Sequence, residues 1–326
     1  MSACKICNNT RGNALYTARE MMFGLRDSFE YLECGACGCL QITNVPSDLT
    51  RYYPADYWQF EEARADFEAQ GDVSAWVRHQ RARYWLLPGF NPVGRLLVGR
   101  RHQPRYFGWL RRAGVDFNSR ILDVGCGIGD RLLELSKDGF RDLTGIDPFI
   151  DSDIHYDNGV NVYKMSLETL EDTGGEFDFI MLNHSFEHMP DPEPALKRIN
   201  RLLRKDHVAL IRIPIASSYA WRKYRTNWAQ LDAPRHLFLH TVDSMKLLSA
   251  RTEFAIRDIV YDSDVFQCWG SEQYARDIAM YEPRSCEIDP ANSIFSIDEM
   301  QRFHELVREL NRTGQGDQAC FYLHKS

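Results

Sequence analysis

The chain has 326 residues, 44% of them hydrophobic and 12% aromatic, and a formal charge of −7. It holds enough apolar residues for a packed core, yet no apolar run approaches the roughly 20 residues of a membrane-spanning helix. The acidic balance argues against a general phosphate-backbone binder, and MSACKICNNT is not a basic-then-apolar signal segment, so the expected setting is soluble and cytoplasmic.

In a reducing compartment the nine cysteines suit metal binding or burial better than disulfides. Residues 1–45 are turn-rich and carry Cys4-x-x-Cys7 and Cys34-x-x-Cys37, two knuckles separated by 26 residues. Four thiolates in that arrangement fit tetrahedral Zn2+ and leave no open position for catalysis, which predicts a structural zinc module with Cys39 as a spare. Its cations Lys5, Arg11, Arg19 and Arg26 are matched by Glu20, Asp27, Glu30 and Glu33. A zinc-dependent nucleic-acid binder would need a basic face that is missing there.

Residues 46–115 read as a helical linker or cap, with an aromatic segment YYPADYWQF and a break at PGFNP. Between Val73 and Val115 there is no acidic residue and no lysine. Arg78, Arg81, Arg83, Arg95, Arg100, Arg101, Arg105, Arg111 and Arg112 all fall in that stretch. Guanidinium forks suit phosphate oxygens, so the stretch is compatible with a phosphorylated acceptor; a solvated helix face is the plainer reading.

From residue 116 onward short apolar strands alternate with amphipathic helices, the pattern of a parallel sheet with crossover helices. Strands are predicted at RILDVG, DLTGID, NVYKM, FDFIMLN, HVALIRIP and AIRDIVY. Helices are predicted at DRLLELSKDG, PEPALKRINRLLRKD and VDSMKLLSAR, the last capped by Thr241. Helical insertions over about 266–315 precede ACFYLHK, predicted to join the sheet as its last, antiparallel strand. The division is therefore 1–45, 46–115 and 116–326.

ILDVGCGIGD (121–130) is a strand running into a glycine turn. A dinucleotide fingerprint wants a third glycine where Asp130 stands, and Asp123 precedes the turn. Carboxylates there would repel a pyrophosphate and favour a ligand with a cationic near end. Asp147, 22 residues after Gly125, stands where an acidic residue accepts hydrogen bonds from a ribose diol. S-adenosylmethionine combines a ribose with a cationic amino-acid end and has no pyrophosphate. An NAD-dependent dehydrogenase, the rival reading, is disfavoured by the same carboxylates.

The segment ILDVGCGIGD…GIDP…FDFIMLNHSFEHMPDP resembles the class I S-adenosylmethionine-dependent methyltransferases over residues 118–265. The resemblance implies an α/β, Rossmann-like sheet, mostly parallel with its last strand antiparallel. It places Asp123, Gly125, Gly127 and Gly129 at the methionine end, Asp147 at the ribose, Pro148 and Leu167 beside the adenine, and Asn183 near the sulfonium. The zinc knuckles ahead of such a domain, together with LDAPRHLFLHT, GSEQYARDI and NRTGQGDQACFYLHK, are similar to sugar C-methyltransferases and surface-polysaccharide pathway methyltransferases.

HSFEHMPDP follows the fourth strand, and in an open parallel sheet ligands bind beyond the carboxyl ends of strands. His188 or His184 is a candidate general base. His184, Glu187 and His188 form an alternative divalent-ion set, on resemblance to ubiquinone-pathway O-methyltransferases with acidic metal ligands there. His236, in a proline-bounded loop, is a further candidate for base or substrate-orienting group. The expected function is methyl transfer from S-adenosylmethionine to a sugar or nucleotide-sugar hydroxyl, with C-methylation or metal-assisted O-methylation as alternatives.

Overall fold

The computed structural model describes residues 3–53, 72–87, 89–171 and 175–325. Most of YYPADYWQF, and Pro88 of the PGFNP break, lie outside them. The N-terminal unit pairs β1 (Ala14–Arg19), β2 (Ser28–Glu33) and β3 (Leu40–Ile42) antiparallel. Helices α1 (Asp72–Leu86), α2 (Pro92–Val98) and α3 (Arg105–Ala113) follow.

The alternating part then runs β4 (Ile121–Val124), α4 (Asp130–Asp138), β5 (Leu143–Ile146), β6 (Ile154–His155), β7 (Asn161–Tyr163), β8 (Phe177–Asn183), α5 (Pro192–Leu202) and β9 (Leu203–Pro214). It continues with α6 (Tyr219–Tyr224), β10 (Phe238–Leu239), α7 (Val242–Arg251), β11 (Phe254–Tyr261), α8 (Phe266–Ala275), α9 (Ile297–Arg312) and β12 (Gln318–Lys325).

The large sheet has the order β11-β12-β9-β8-β4-β5-β7-β6. Strand β4 pairs parallel with β5 and β8, β8 with β9, and β5 with β7. All four residues of β4 are buried, as expected of a parallel strand covered on both faces. The chain leaves β4 to one side and returns to build the other, so the switch point and its crevice sit at the carboxyl end of β4. The tail strand β12 is antiparallel as expected, but it is wedged between β9 and β11 and does not form the edge.

One predicted boundary moves. The pattern PEPALKRINRLLRKD predicts a helix to residue 206, yet α5 ends at Leu202 and β9 starts at Leu203. The last helical carbonyls need partners, and the segment before β8 supplies them: Gly175 N–H donates to Arg201 O and Glu176 N–H to Leu202 O. Leu203 then pairs with Phe177. Helix α7 keeps its predicted ends, with Thr241 and Ser244 forming a capping box.

The turn-rich reading of residues 1–45 missed a sheet. Strand β10, almost 200 residues downstream, completes it in the order β1-β2-β3-β10. Ile42 N–H donates to Leu237 O at 3.0 Å, and Tyr31 Oη donates to His236 O at 2.8 Å. Of the nine arginines between Val73 and Val115, Arg78 is bound to Asp138, Arg112 to Asp258, Arg105 to Asp262 O and Arg81 to Leu97 O. Arg78, Arg105 and Arg112 tie the helices to the rest of the domain, and Arg81 ties α1 to α2.

A buried guanidinium joins the N-terminal unit to the rest. Arg235 reaches Glu20 at 3.0 Å, Asp232 at 2.6 Å and the Tyr52 carbonyl at 3.1 Å. Glu20 also accepts the N–H groups of Met22, Phe23 and Leu25. Burial alone would raise the Asp232 carboxyl, but the Arg235 charge outweighs it and holds the group below its ordinary range. Removing one partner strands a buried charge, which costs about 3–5 kcal/mol. Glu20→Ala should therefore lose about that much stability in urea unfolding; a loss under about 1 kcal/mol would show that Asp232 alone satisfies the guanidinium.

Candidate functional site

The glycine turn is shaped by close approach. Gly125 has φ +74, and a Cβ there would lie 2.4 Å from Ser185 Cβ. Gly129 has φ +93 and caps α4, and a Cβ on it would lie 2.8 Å from Val162 Cγ2. Both positions therefore demand glycine on conformational and steric grounds. Gly127 N–H donates to Asp147 Oδ2 at 2.9 Å, tying the turn to the end of β5.

Asp147 is buried, and its other oxygen accepts the Phe149 N–H at 2.8 Å. Each carboxylate oxygen keeps a lone pair for a hydroxyl. Asp123 is 4% exposed, and its Oδ1 is buried without a hydrogen-bond partner. Burial pushes its carboxyl up to about 7; Arg131 opposes the rise and Asp147 adds to it. A buried acceptor left unpaired is costly, and a ligand ammonium would satisfy it where a pyrophosphate would repel it. The residues thus fit S-adenosylmethionine.

Asn183, at the end of β8, has its side-chain oxygen held by Arg212 at 2.9 Å. Arg212 is held in turn by Asp262 at 2.8 Å and lies over the Trp109 ring. Pro148 is exposed at the crevice rim, whereas Leu167 is packed in the core.

The structure gathers the histidines around one acid. Glu187 is fully buried in a single 3-10 turn, Phe186–His188. His184, at φ +56, places Nδ1 3.3 Å from Glu187 Oε1, without hydrogen-bond geometry. His236 places Nε2 3.9 Å from the same oxygen. Burial would raise the Glu187 carboxyl, but His184, His188 and His236 outweigh it and bring it down to about 2. Burial, with His188 adding, lowers His236 to about 4.

The rings of His188 and His236 stand 4.8 Å apart. His188 donates Nδ1–H to Arg235 O at 2.8 Å, and His236 donates Nδ1–H to Gln230 O at 2.8 Å. Sequence alone pointed to His184, Glu187 and His188 as an ion-holding set. The three that bring ligand atoms within 4.8 Å of one another are Glu187, His188 and His236. The spacing could not show this, because His236 arrives from a loop ordered by the N-terminal sheet.

The four cysteines converge, all with Sγ within 4.8 Å of each other. Cys4 and Cys37 are 3.7 Å apart, and Cys7 and Cys34 3.4 Å. The edge of a tetrahedron with Zn–S of about 2.3 Å is roughly 3.8 Å. Backbone N–H groups of Ile6 and Ala36 point at Cys4 and Cys34, as thiolates require. Cys39 turns away, its Sγ 3.9 Å from His240 Nδ1. The donor set fits zinc.

Residues 98–259 match a family model described as a methyltransferase domain. Ubiquinone biosynthesis O-methyltransferases of Escherichia fergusonii and Shigella boydii are 29% identical over 134 residues, 38% of this chain and 52% of each relative. The chain spans about half the length of these curated relatives. Among solved structures, it is similar to a possible histamine N-methyltransferase from Thermotoga maritima (TM-score 0.40, 15% identity, 78% of this chain and 90% of that one). A cyclopropane synthase from Mycobacterium tuberculosis aligns with TM-score 0.44 and 15% identity, over 79% of this chain and 100% of its own.

The Asp123 carboxyl near 7 has a measurable consequence. A cationic ligand binds the carboxylate form, so binding below pH 7 must expel a proton. Titration calorimetry should show S-adenosylmethionine affinity falling by up to about tenfold per pH unit below 7, and Asp123→Asn should flatten the profile. A flat wild-type profile would remove Asp123 from cation recognition.

Proposed function

We propose that this chain, whose residues 98–259 match a methyltransferase-domain family, uses S-adenosylmethionine to methylate a hydroxyl of a small sugar or nucleotide-linked sugar. The observation that carries the cofactor reading is the buried Asp123 oxygen without a partner, set beside the glycine turn and Asp147. The sugar class is supported by the similarity of the cysteine knuckles and the LDAPRHL segment to sugar-pathway methyltransferases.

Within this reading Asp123 binds the ammonium, Gly125, Gly127 and Gly129 line the methionine end, and Asp147 binds the ribose diol. Pro148 and Leu167 flank the adenine, and Asn183 lies near the sulfonium. S-adenosylmethionine supplies a methyl group already activated on sulfur, so the protein's task is in-line positioning and proton removal. His184 is the partly exposed imidazole facing Glu187, and it takes the hydroxyl proton. The buried Glu187 carboxylate stabilises the imidazolium that forms, as the acid does in a catalytic triad. His188 and His236 order the acceptor side of the crevice. Residues 1–45 form a zinc module, 46–115 a cap, and 116–326 the methyltransferase domain.

The reading is tested by calorimetry with S-adenosylmethionine against NAD, followed by labelled-methyl transfer to a panel of nucleotide-linked sugars. Preference for NAD would overturn the cofactor, and transfer to ubiquinone-type phenols alone would overturn the sugar class. With the acceptor that works, His184→Ala should lower kcat by about 10²–10⁴ and leave S-adenosylmethionine affinity unchanged; an unchanged kcat removes the base. Cys34→Ser should release about one zinc per chain and lower the melting temperature, because such metal binding is folding energy. Unchanged melting with the metal gone would make the module dispensable for stability.

A further inference from the structure

Glu187, His188 and His236 converge at the carboxyl ends of the parallel strands with the wrong balance of donors and acceptors for an empty site. Both oxygens of Glu187, a residue with no exposed surface, lack a hydrogen-bond partner. His188 and His236 each spend their one ring proton on a backbone carbonyl, Arg235 O and Gln230 O, both at 2.8 Å. Each ring therefore keeps a bare Nε2 lone pair. A ligand atom from each of the three residues lies within 4.8 Å of the others. His236 Nε2 lies 3.9 Å from both Glu187 Oε1 and Asp232 Oδ2, and this gathering of acceptors calls for a cation.

We infer that Glu187, His188 and His236 bind a divalent transition-metal ion beside the methyl-transfer crevice. Two imidazoles and one carboxylate select a zinc-, iron- or manganese-type ion, whereas magnesium and calcium prefer all-oxygen sites. The Nδ1–H···O=C bonds are the outer contacts that fix the tautomer and aim of a metal-bound imidazole. Three protein ligands leave positions for an acceptor oxygen, unlike the closed four-cysteine cluster. His184 lies against Glu187 but outside the ligand set.

The use of the ion in catalysis rests on the methyltransferase reading, but its binding does not. The test is a Mn2+ titration of the zinc-loaded full chain, without donor or acceptor, read from the loss of the free Mn2+ electron paramagnetic resonance signal. The wild type should take up about one Mn2+ per chain. Glu187→Gln and His236→Gln should each weaken uptake by roughly tenfold or more, while His184→Ala should leave it intact. Unchanged S-adenosylmethionine affinity in the two glutamine variants shows that they are folded. No uptake by the wild type, under conditions where it binds S-adenosylmethionine, overturns the site. Loss on His184→Ala with retention on His236→Gln overturns the ligand set. Mn2+ binding with no methyl transfer to any sugar would leave this site standing and sink the acceptor assignment alone.

Discussion

The architecture turns on one buried guanidinium. Arg235 has no exposed side-chain surface, and it holds Glu20 of the N-terminal unit, the Tyr52 carbonyl and its own neighbour Asp232. Its backbone carbonyl accepts from His188, and the next residue is His236. One ion cluster thus joins the cysteine-bearing sheet to both histidines of the crevice. A buried ion pair of this kind adds little net stability over an apolar substitute; what it supplies here is registry between segments more than 200 residues apart. The β3–β10 pairing and the Tyr31 bond to His236 O act in the same direction.

That arrangement gives the four-thiolate unit a physical role away from chemistry. Cys4, Cys34, Cys37 and Leu40 lie in the same hydrophobic cluster as Phe186, Leu182 and Leu239, and Thr241 donates to Cys37 O. A short segment without a core of its own becomes rigid when metal closes it. Packing and the Tyr31 hydrogen bond connect that segment to the loop that carries His236.

Both ends of the crevice are built from acceptors that the protein leaves incompletely satisfied. Asp123 has an unpaired oxygen at the glycine turn, and Glu187 has two at the acceptor side. Such groups destabilise the free protein by the missing hydrogen bonds. They gather near the switch point of the sheet, buried beside the ends of β4 and β8. In the arginine-rich helices, Arg78 answers the buried Asp138 and Arg112 answers Asp258.

The local features were legible in the chain. Buried runs such as ILDV and FDFIMLN, the glycine turn, the Thr241 cap and the paired cysteines each follow from short-range spacing, because strand burial, positive φ and knuckle geometry act within a few residues. The end of α5, the inner place of β12, the N-terminal sheet and the grouping of His236 with Glu187 were decided only by the tertiary structure. Each depends on a partner far away in sequence: Gly175 and Glu176 for the helix end, β9 and β11 for the tail, β10 for the sheet, and Glu20 with Tyr31 for the histidine loop. Spacing shows which donors and acceptors a segment carries, but only packing shows which of them are left without a partner.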